Sequence, residues 1–472
     1  RIPDSVELAL EDWMRMADFD EADEWPRRWA EQYVARARDE VGGWLKSHGV
    51  RFFPVVNWAE RGVHGDGNSV PRFHLTWGCG KGLVDAVWGS LRSHPRRSAL
   101  EVRFETSVAG LVTEQGAVTG VKLEDGSSIE ARAVVVAAGG IGGNLELVRK
   151  HWPSDLGPPP EHILMGSHYY ADGAMHEEVS RIGGNVTHLS RMWNYADAVR
   201  HPRPQRPLHG LKLIPPRSGL VVDPTGRRYG PDALIPTFDA RYALERMCED
   251  DRKYYWMICN WKIARRELDV SGSQHNPSIR EKRLARFLLS ILLGKPTLVK
   301  HFVDNCPDFV TADSLPELAS KMADVTGDGA LDASRMQAEV ERYDATLARG
   351  KGLWNDDQIR RIAQLRNWRG DRLRTAKFQQ IAGDPDAGPL IAIRMTVMAR
   401  KSLGGIQTDL ECRVLRPDGS AIDGLYAVGE AAGFGGGGLH GKKSLEGTFL
   451  GGCVFTGRLA AAAIARPAPS QA

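Results

Sequence analysis

Three stretches of this 472-residue chain predict an α/β fold carrying an α+β insertion. Residues 423–458, DGLYAVGEAAGFGGGGLHGKKSLEGTFLGGCVFTGR, read as a strand buried on both faces (Leu425 to Val428), a glycine-rich loop, and a small-residue helix starting near Ser444. Residues 133–138 have the Ala/Val composition of a central parallel strand and run into Gly139-Gly140, where backbone can approach a ligand. From residue 187 to 390 the pattern changes to aromatic-rich strands broken by prolines, as in HPRPQRP, and then to helices. Such a length, 42% hydrophobic and 26% charged, suits two or three domains.

Taken in order, the chain opens in helical sequence. Ser5 can cap a helix carrying Val6, Leu8, Leu10 and Trp13, and a second from Pro26 places Trp29, Tyr33 and Trp44 among charges before Gly49 stops it. His74 and Trp77 in RFHLTWGCGKG precede a helix at Leu83, either lining a ligand or forming an aromatic corner. Leu100 to Val108, Gly110 to Glu114 and Ala117 to Leu123 read as a small β-meander with turns at Gln115-Gly116 and Asp125-Gly126. Leu315 to Met322 and Met336 to Tyr343 have helical spacing behind Ser314 and Ser334.

The glycine loop carries the first chemical signal. A helix N-terminus aimed into it makes an electron-poor pocket, and reduced isoalloxazine gathers negative charge near N1 and the C2 carbonyl, so the unit suits a flavin. A glycine-rich turn with no cofactor is the competing reading. Gly433, Gly435 and Gly438 satisfy G-x-G-x-x-G, yet that fingerprint needs a further βα unit with an acidic residue about 20 residues on. It is therefore not read as a pyrophosphate site.

LYAVGEAAG, HGKKSLEGTFLGG and AVVVAAGGIGGN resemble the FAD-dependent dehydrogenases of the fumarate reductase, succinate dehydrogenase flavoprotein and 3-ketosteroid dehydrogenase superfamily. RFFPVVNWAERG, GNSVPRFHLTWG, RMWNY, SGSQHNP and RKSLGG are similar to a group of FAD-binding dehydrogenases within it. The resemblance implies a Rossmann-like FAD-binding domain in two parts, residues 1–186 and 391–472, and a cap domain at 187–390 that covers the flavin and excludes water. It implies FAD contacts at Val108, Ala138, Gly139, Gly140, Ser444, Leu445, Gly447 and Thr448, and at Glu430, whose carboxylate would accept from the ribityl hydroxyls. Catalytic candidates are Arg400 and Lys401, where fumarate reductases carry an active-site histidine, Arg228 in the cap, and His440. Each has a plainer reading: hinge charges for Arg400 and Lys401, a salt bridge for Arg228, a structural imidazole for His440. Glu446 reads as a general base or, preferably, as a first-turn carboxylate favouring the helix dipole.

Family members open with a βαβ unit bearing the glycine fingerprint, whereas this chain begins at Arg1 in helical sequence. Truncation is the simplest expectation, and a non-catalytic chain that does not retain FAD is the alternative. The reaction implied is dehydrogenation or reduction of a CH–CH bond beside a carbonyl. Ser444 stands where fumarate reductases carry a substrate-clamping arginine, and the keto-activating tyrosine of the 3-ketosteroid dehydrogenases' C-terminal loop has no counterpart. An apolar keto or enoyl substrate such as a ketosteroid is therefore expected ahead of an unsaturated acid.

Composition excludes several classes. Sixty-two basic against 59 acidic residues leave a net charge of +3, with no nucleic-acid footprint. Six scattered cysteines form no C-x-x-C pair, so neither a metal site nor a haem attachment is expected and any electron acceptor is a separate molecule. The cytoplasm is the expected compartment. Phe287 to Leu293 and Leu459 to Ala465 fall short of the ~20 residues of an integral membrane segment.

Overall fold

The computed structural model describes residues 2–54, 58–235 and 237–466. Ser5 caps the helix Val6–Ala17 through Leu8 N at 3.1 Å. The helix Glu24–Ala37 continues through a π-helical turn, Arg38–Gly43, and Trp44–Ser47 up to Gly49. Three aromatics on these helices are buried, and their polar atoms need partners. They find backbone carbonyls far along the chain: Trp13 Nε1 donates to Leu439 O at 3.0 Å, Trp29 Nε1 to Thr408 O at 3.3 Å, and the Tyr33 hydroxyl to Thr448 O at 3.3 Å.

Those contacts explain part of the glycine run. A Cβ at Gly435, where φ is +137°, would lie 2.7 Å from the Trp29 ring, and one at Gly436 would lie 2.5 Å from it. At these two positions the missing side chains make room for a tryptophan of the same chain, not for a cofactor.

The main sheet has eight strands among the described residues. Its path runs Leu220–Val222, Tyr254–Asn260, Leu390–Ser402, Met192–Arg200, Gly210–Ile214, Asp269–Val270, with Phe309–Ala312 and Leu164–Met165 also pairing to the long strand Leu390–Ser402. Its largest core gathers Trp256, Met257, Ile258, Phe302, Met322 and Ile393, and also Ile141, Val148, Trp152 and Ile163 from before residue 187. A second core joins Trp13, Trp29 and Tyr33 to Trp193, Tyr195, Met398, Phe434, Phe449 and Phe455. The opposite face of the sheet thus packs on the opening helices and the C-terminal segment.

Three sequence expectations shift. The run Val134–Val136 pairs in parallel with Leu425–Ala427, but it is the edge of a three-stranded sheet, not its centre. Leu100 to Ser107 is not a strand: no described segment pairs with it, and Val102 and Phe104 are exposed, so only Val108–Glu114, Ala117–Leu123 and Ser128–Glu130 form the meander. The last helix begins at Phe449, not near Ser444, because Gly447 takes a left-handed φ of 99°.

Gly435→Ala is expected to cost about 1–3 kcal/mol of backbone strain and to lower the melting temperature by about 1–3 °C. Gly80→Ala, where a Cβ meets no atom within 4 Å, should leave it unchanged. Thermal melts by circular dichroism measure both, and matching melts would mean that Trp29 yields without cost.

Candidate active site

The site forms where the C-terminal half of the long strand meets Met192–Arg200. Register between them slips twice: Thr396 faces Ala198, Met398 faces Tyr195, and Lys401 faces Trp193. Each slip adds one residue to one strand, and a β-bulge of this kind re-aims side chains. The first slip puts Tyr195 and Ala198 on one face although they are three residues apart, and Lys212 on the next strand pairs opposite Ala198. Trp193, Tyr195, Lys212 and Lys401 therefore converge on the face that packs against the C-terminal loop.

Glu446, from that loop, completes the group. Its Oε2 accepts from the Tyr195 hydroxyl at 2.7 Å and from Trp193 Nε1 at 3.1 Å. Lys401 Nζ donates to the Tyr195 oxygen at 2.9 Å and lies 3.7 Å from Glu446 Oε1, while Lys212 Nζ lies 3.9 Å from Oε2 and 3.6 Å from the Tyr195 ring centre. Lys401 also sits 3.8 Å from the centre of the Phe449 ring. Burial opposes ionisation of Glu446, but Lys401 and then Lys212 outweigh it and hold the carboxyl at about 2. Burial lowers the Lys401 ammonium to about 8 against the pull of Glu446. Burial, with the Glu446 charge, drives the Tyr195 hydroxyl far above its ordinary range.

Beside this cluster His440 is buried between Trp13, Phe434 and Phe449. The Thr448 hydroxyl donates to Leu445 O at 2.7 Å, so it accepts from His440 Nε2 at 2.9 Å, and Nδ1 is left with a bare lone pair and no partner among the described residues. Burial, with Lys401 nearby, lowers the imidazole to about 3, which keeps it neutral.

A second set lies around Gly140. A Cβ there would come within 2.3 Å of Ser402 Oγ and 2.6 Å of Glu430 Oε1, and Ser402 N donates to that oxygen at 2.9 Å. Burial raises the Glu430 carboxyl, opposed by the Ser402 bond. Its Oε2 takes no hydrogen bond from a described residue, so it can accept from a ligand hydroxyl. The helix Phe449–Ala465 has no capping side chain on its first N–H groups, which leaves donors for an electron-rich ring. With the lone pair of His440 Nδ1, these donors and acceptors fit the flavin and ribityl parts of FAD.

Other expected residues fall elsewhere. The Arg228 guanidinium bonds Asp356 and Gln358 and shares no contact with the Lys401 cluster. Arg400 is half-buried with no ion pair among the described residues, its carbonyl accepting from Ser167. Val108 and Ala138 are exposed, Gly139 is half-buried beside Ala171, and Ser444 and Leu445 are buried. Trp77 packs with Phe53 and Phe287, the aromatic corner, while His74 is exposed. Glu446 lies two residues before the N-cap Thr448, outside the first helical turn. Sequence reasoning missed Trp193, Tyr195 and Lys212; the W-x-Y spacing in RMWNY and the lone lysine in the apolar strand GLKLI were the available signals.

Comparison with known proteins agrees with this chemistry. Residues 1–450 match the FAD binding domain family. A KsdD-like steroid dehydrogenase of Mycobacterium tuberculosis is 42% identical over 484 residues, covering 97% of this chain and 84% of the relative. Among solved structures, the 3-ketosteroid delta1-dehydrogenase of Sterolibacterium denitrificans superposes with a TM-score of 0.66 at 16% identity, covering 98% of this chain and 90% of that one. A flavocytochrome c3 fumarate reductase gives 0.63 at 18%, covering 98% and 67%. These structures share the fold.

Glu446→Gln leaves two half-buried ammonium groups without a carboxylate and is expected to cost about 1–3 kcal/mol at neutral pH. Adding Lys401→Met should recover at least half of the lost melting temperature. The folded value of Lys401 is depressed, so its burial is a cost below about 8 that fades as pH rises from there towards the ordinary 10.5. Losing the carboxylate lowers Lys401 further, so the Glu446→Gln penalty should shrink as pH rises towards 8, where the variant has shed the Lys401 proton and the parent still holds it. Melts of the parent, single and double variants across that range test the sign.

Proposed function

This chain belongs to the FAD-binding domain family and is an FAD-dependent oxidoreductase, and from that premise we propose that it transfers hydrogen across the CH–CH bond next to the carbonyl of an apolar cyclic ketone or enone, such as a 3-ketosteroid. The observation that carries the reading is the largely enclosed cluster of Lys401, Tyr195, Glu446 and Lys212, in which the Lys401 ammonium is lowered to about 8. The steroid dehydrogenases among the relatives support the substrate class, as does Ser444 in place of a carboxylate-clamping arginine.

FAD would be held by the first N–H groups of the helix Phe449–Ala465, by Glu430 at the ribityl hydroxyls, by the backbone of Gly139 and Gly140, and by His440 Nδ1. When bound, it supplies acceptance of a hydride equivalent from the substrate's β carbon. Lys401, as the neutral amine, takes the α proton, because a general base works best with a value near the working pH. Glu446, held at about 2, is too weak a base and serves as counter-ion. Tyr195, far above its ordinary range, stays a phenol and holds Lys401 in place by accepting its N–H. Lys212 polarises the carbonyl.

In this reading residues 1–186 and 391–472 form a Rossmann-like cofactor domain and 187–390 the cap that closes over it. The bonds from Tyr195 and Trp193 to Glu446 support a closed arrangement. Six free thiols support a reducing compartment, the cytoplasm, and electrons then pass to a separate acceptor.

The protein loaded with FAD is expected to lose its flavin absorption band anaerobically on addition of a 3-ketosteroid and not of fumarate; the opposite pattern would overturn the reading. Dehydrogenation needs neutral Lys401, so its rate should rise with pH through about 8, while reduction of the enone should fall over the same range. Lys401→Met should slow dehydrogenation by about 10²–10⁴-fold.

A further inference from the structure

The helix Leu284–Leu293, LARFLLSILL, is turned inside out. It has no buried residue, and its half-buried side is Phe287, Ser290 and Ile291, with Phe287 edge-on to Phe53 and Trp77. At 100° per residue, Leu284, Leu288, Leu292, Leu289 and Leu293 span the opposite half of the helix, and each is between 44% and 70% exposed. A helix on a protein surface normally shows the reverse pattern, with its polar side in water. Contiguous apolar surface of this kind marks a contact with something other than water.

Charge identifies the partner. Arg280, Lys282, Arg283 and Arg286 lie at or just before the start of the helix, against the single acid Glu281. Glu281 pairs with Arg280 and Arg283, both at 2.9 Å, while Lys282 and Arg286 have no ion pair among the described residues. Leucines beside free basic side chains on one short helix are the pattern of a segment lying in the membrane interface, its apolar face sunk among acyl chains and its cations at anionic headgroups. Ten residues reach about 15 Å, half of what a span needs, and no helix of the described residues is long and apolar enough to cross a membrane. One three-turn helix also falls short of the roughly 20–30 residues a side that a stable protein interface uses.

We infer that Leu284–Leu293 docks this protein on the surface of an anionic phospholipid bilayer. Docking needs no catalytic residue, so it stands or falls separately from the reaction proposed above. For an apolar ketone, which partitions into lipid, it would also bring the enzyme to its substrate.

Co-sedimentation of the FAD-loaded chain with phosphatidylglycerol and with phosphatidylcholine vesicles tests this at low salt. Binding to phosphatidylglycerol should be at least about tenfold tighter. The combined variant Leu288→Ser, Leu289→Ser, Leu292→Ser and Leu293→Ser should stay in the supernatant with an unchanged melting temperature. Lys282→Glu with Arg286→Glu should lose the headgroup preference and keep the flavin band. Two results would overturn the inference. One is a parent chain that ignores both vesicles, or a leucine variant that binds as well as the parent. The other is a parent that self-associates in sedimentation velocity without binding vesicles and becomes monomeric in the leucine variant, which would make the face a contact between copies.

Discussion

One carboxylate, Glu446, makes it possible to hold two ammonium groups largely out of water at the junction of the main sheet and the C-terminal segment. An ion pair at 4 Å and an effective dielectric near 20 gains about 4 kcal/mol, while removing each ion from water costs several. These terms nearly cancel, so the cluster contributes little net stability. Its contribution is geometric. Hydrogen bonds from Tyr195 and Trp193 and the pull of both lysines tie three strands to a loop that precedes the last helix, and they set where that helix's free N–H groups point.

Two backbone features make the junction possible. A bulge in the pairing of Met192–Arg200 with Leu390–Ser402 moves Tyr195 onto the face that carries Lys212; with regular alternation the phenol and the ammonium would lie on opposite sides of the sheet. The loop, for its part, is held from behind. Trp13, Trp29 and Tyr33 each donate to a backbone carbonyl of the C-terminal segment, and glycines at 435 and 436 let the Trp29 ring lie against the chain. The opening helices therefore support the site without entering it.

This distribution explains what was legible in the sequence. Local signals were readable: Ser5 and Ser314 cap the helices they were expected to cap, Gly49 ends the second, and the turns at Gln115-Gly116 and Asp125-Gly126 form. The parallel pairing of Val134–Val136 with the strand before the glycine loop was foreseen, though not its place at the sheet edge. Lys401 and His440 were recognisable because motifs carry them. Tyr195 and Lys212 were not, because their shared face depends on a register slip between segments about 200 residues apart, and no periodicity within either segment records it. Two glycines of the loop, 435 and 436, serve a further purpose that was not legible: their neighbour is a tryptophan some 400 residues earlier, and a sequence does not distinguish room for a ring of its own from room for a ligand.

The environments of the cluster pull its three kinds of titratable group apart, which is how neighbouring groups acquire different roles. Glu446 stays anionic, Tyr195 stays protonated, and Lys401, lowered to about 8, can change charge near neutrality. The cause is burial, and burial depends on the sheet being closed on the loop. Separating the two would return water to Lys401 and carry its ammonium back towards the ordinary 10.5, so a neutral amine would become rare at physiological pH. Closing favours loss of that proton, and by linkage a rise in pH between about 8 and 10.5 favours closing. In the proposed reaction the amine thus becomes an effective base only where water has been excluded, the same condition that protects a hydride transfer from solvent.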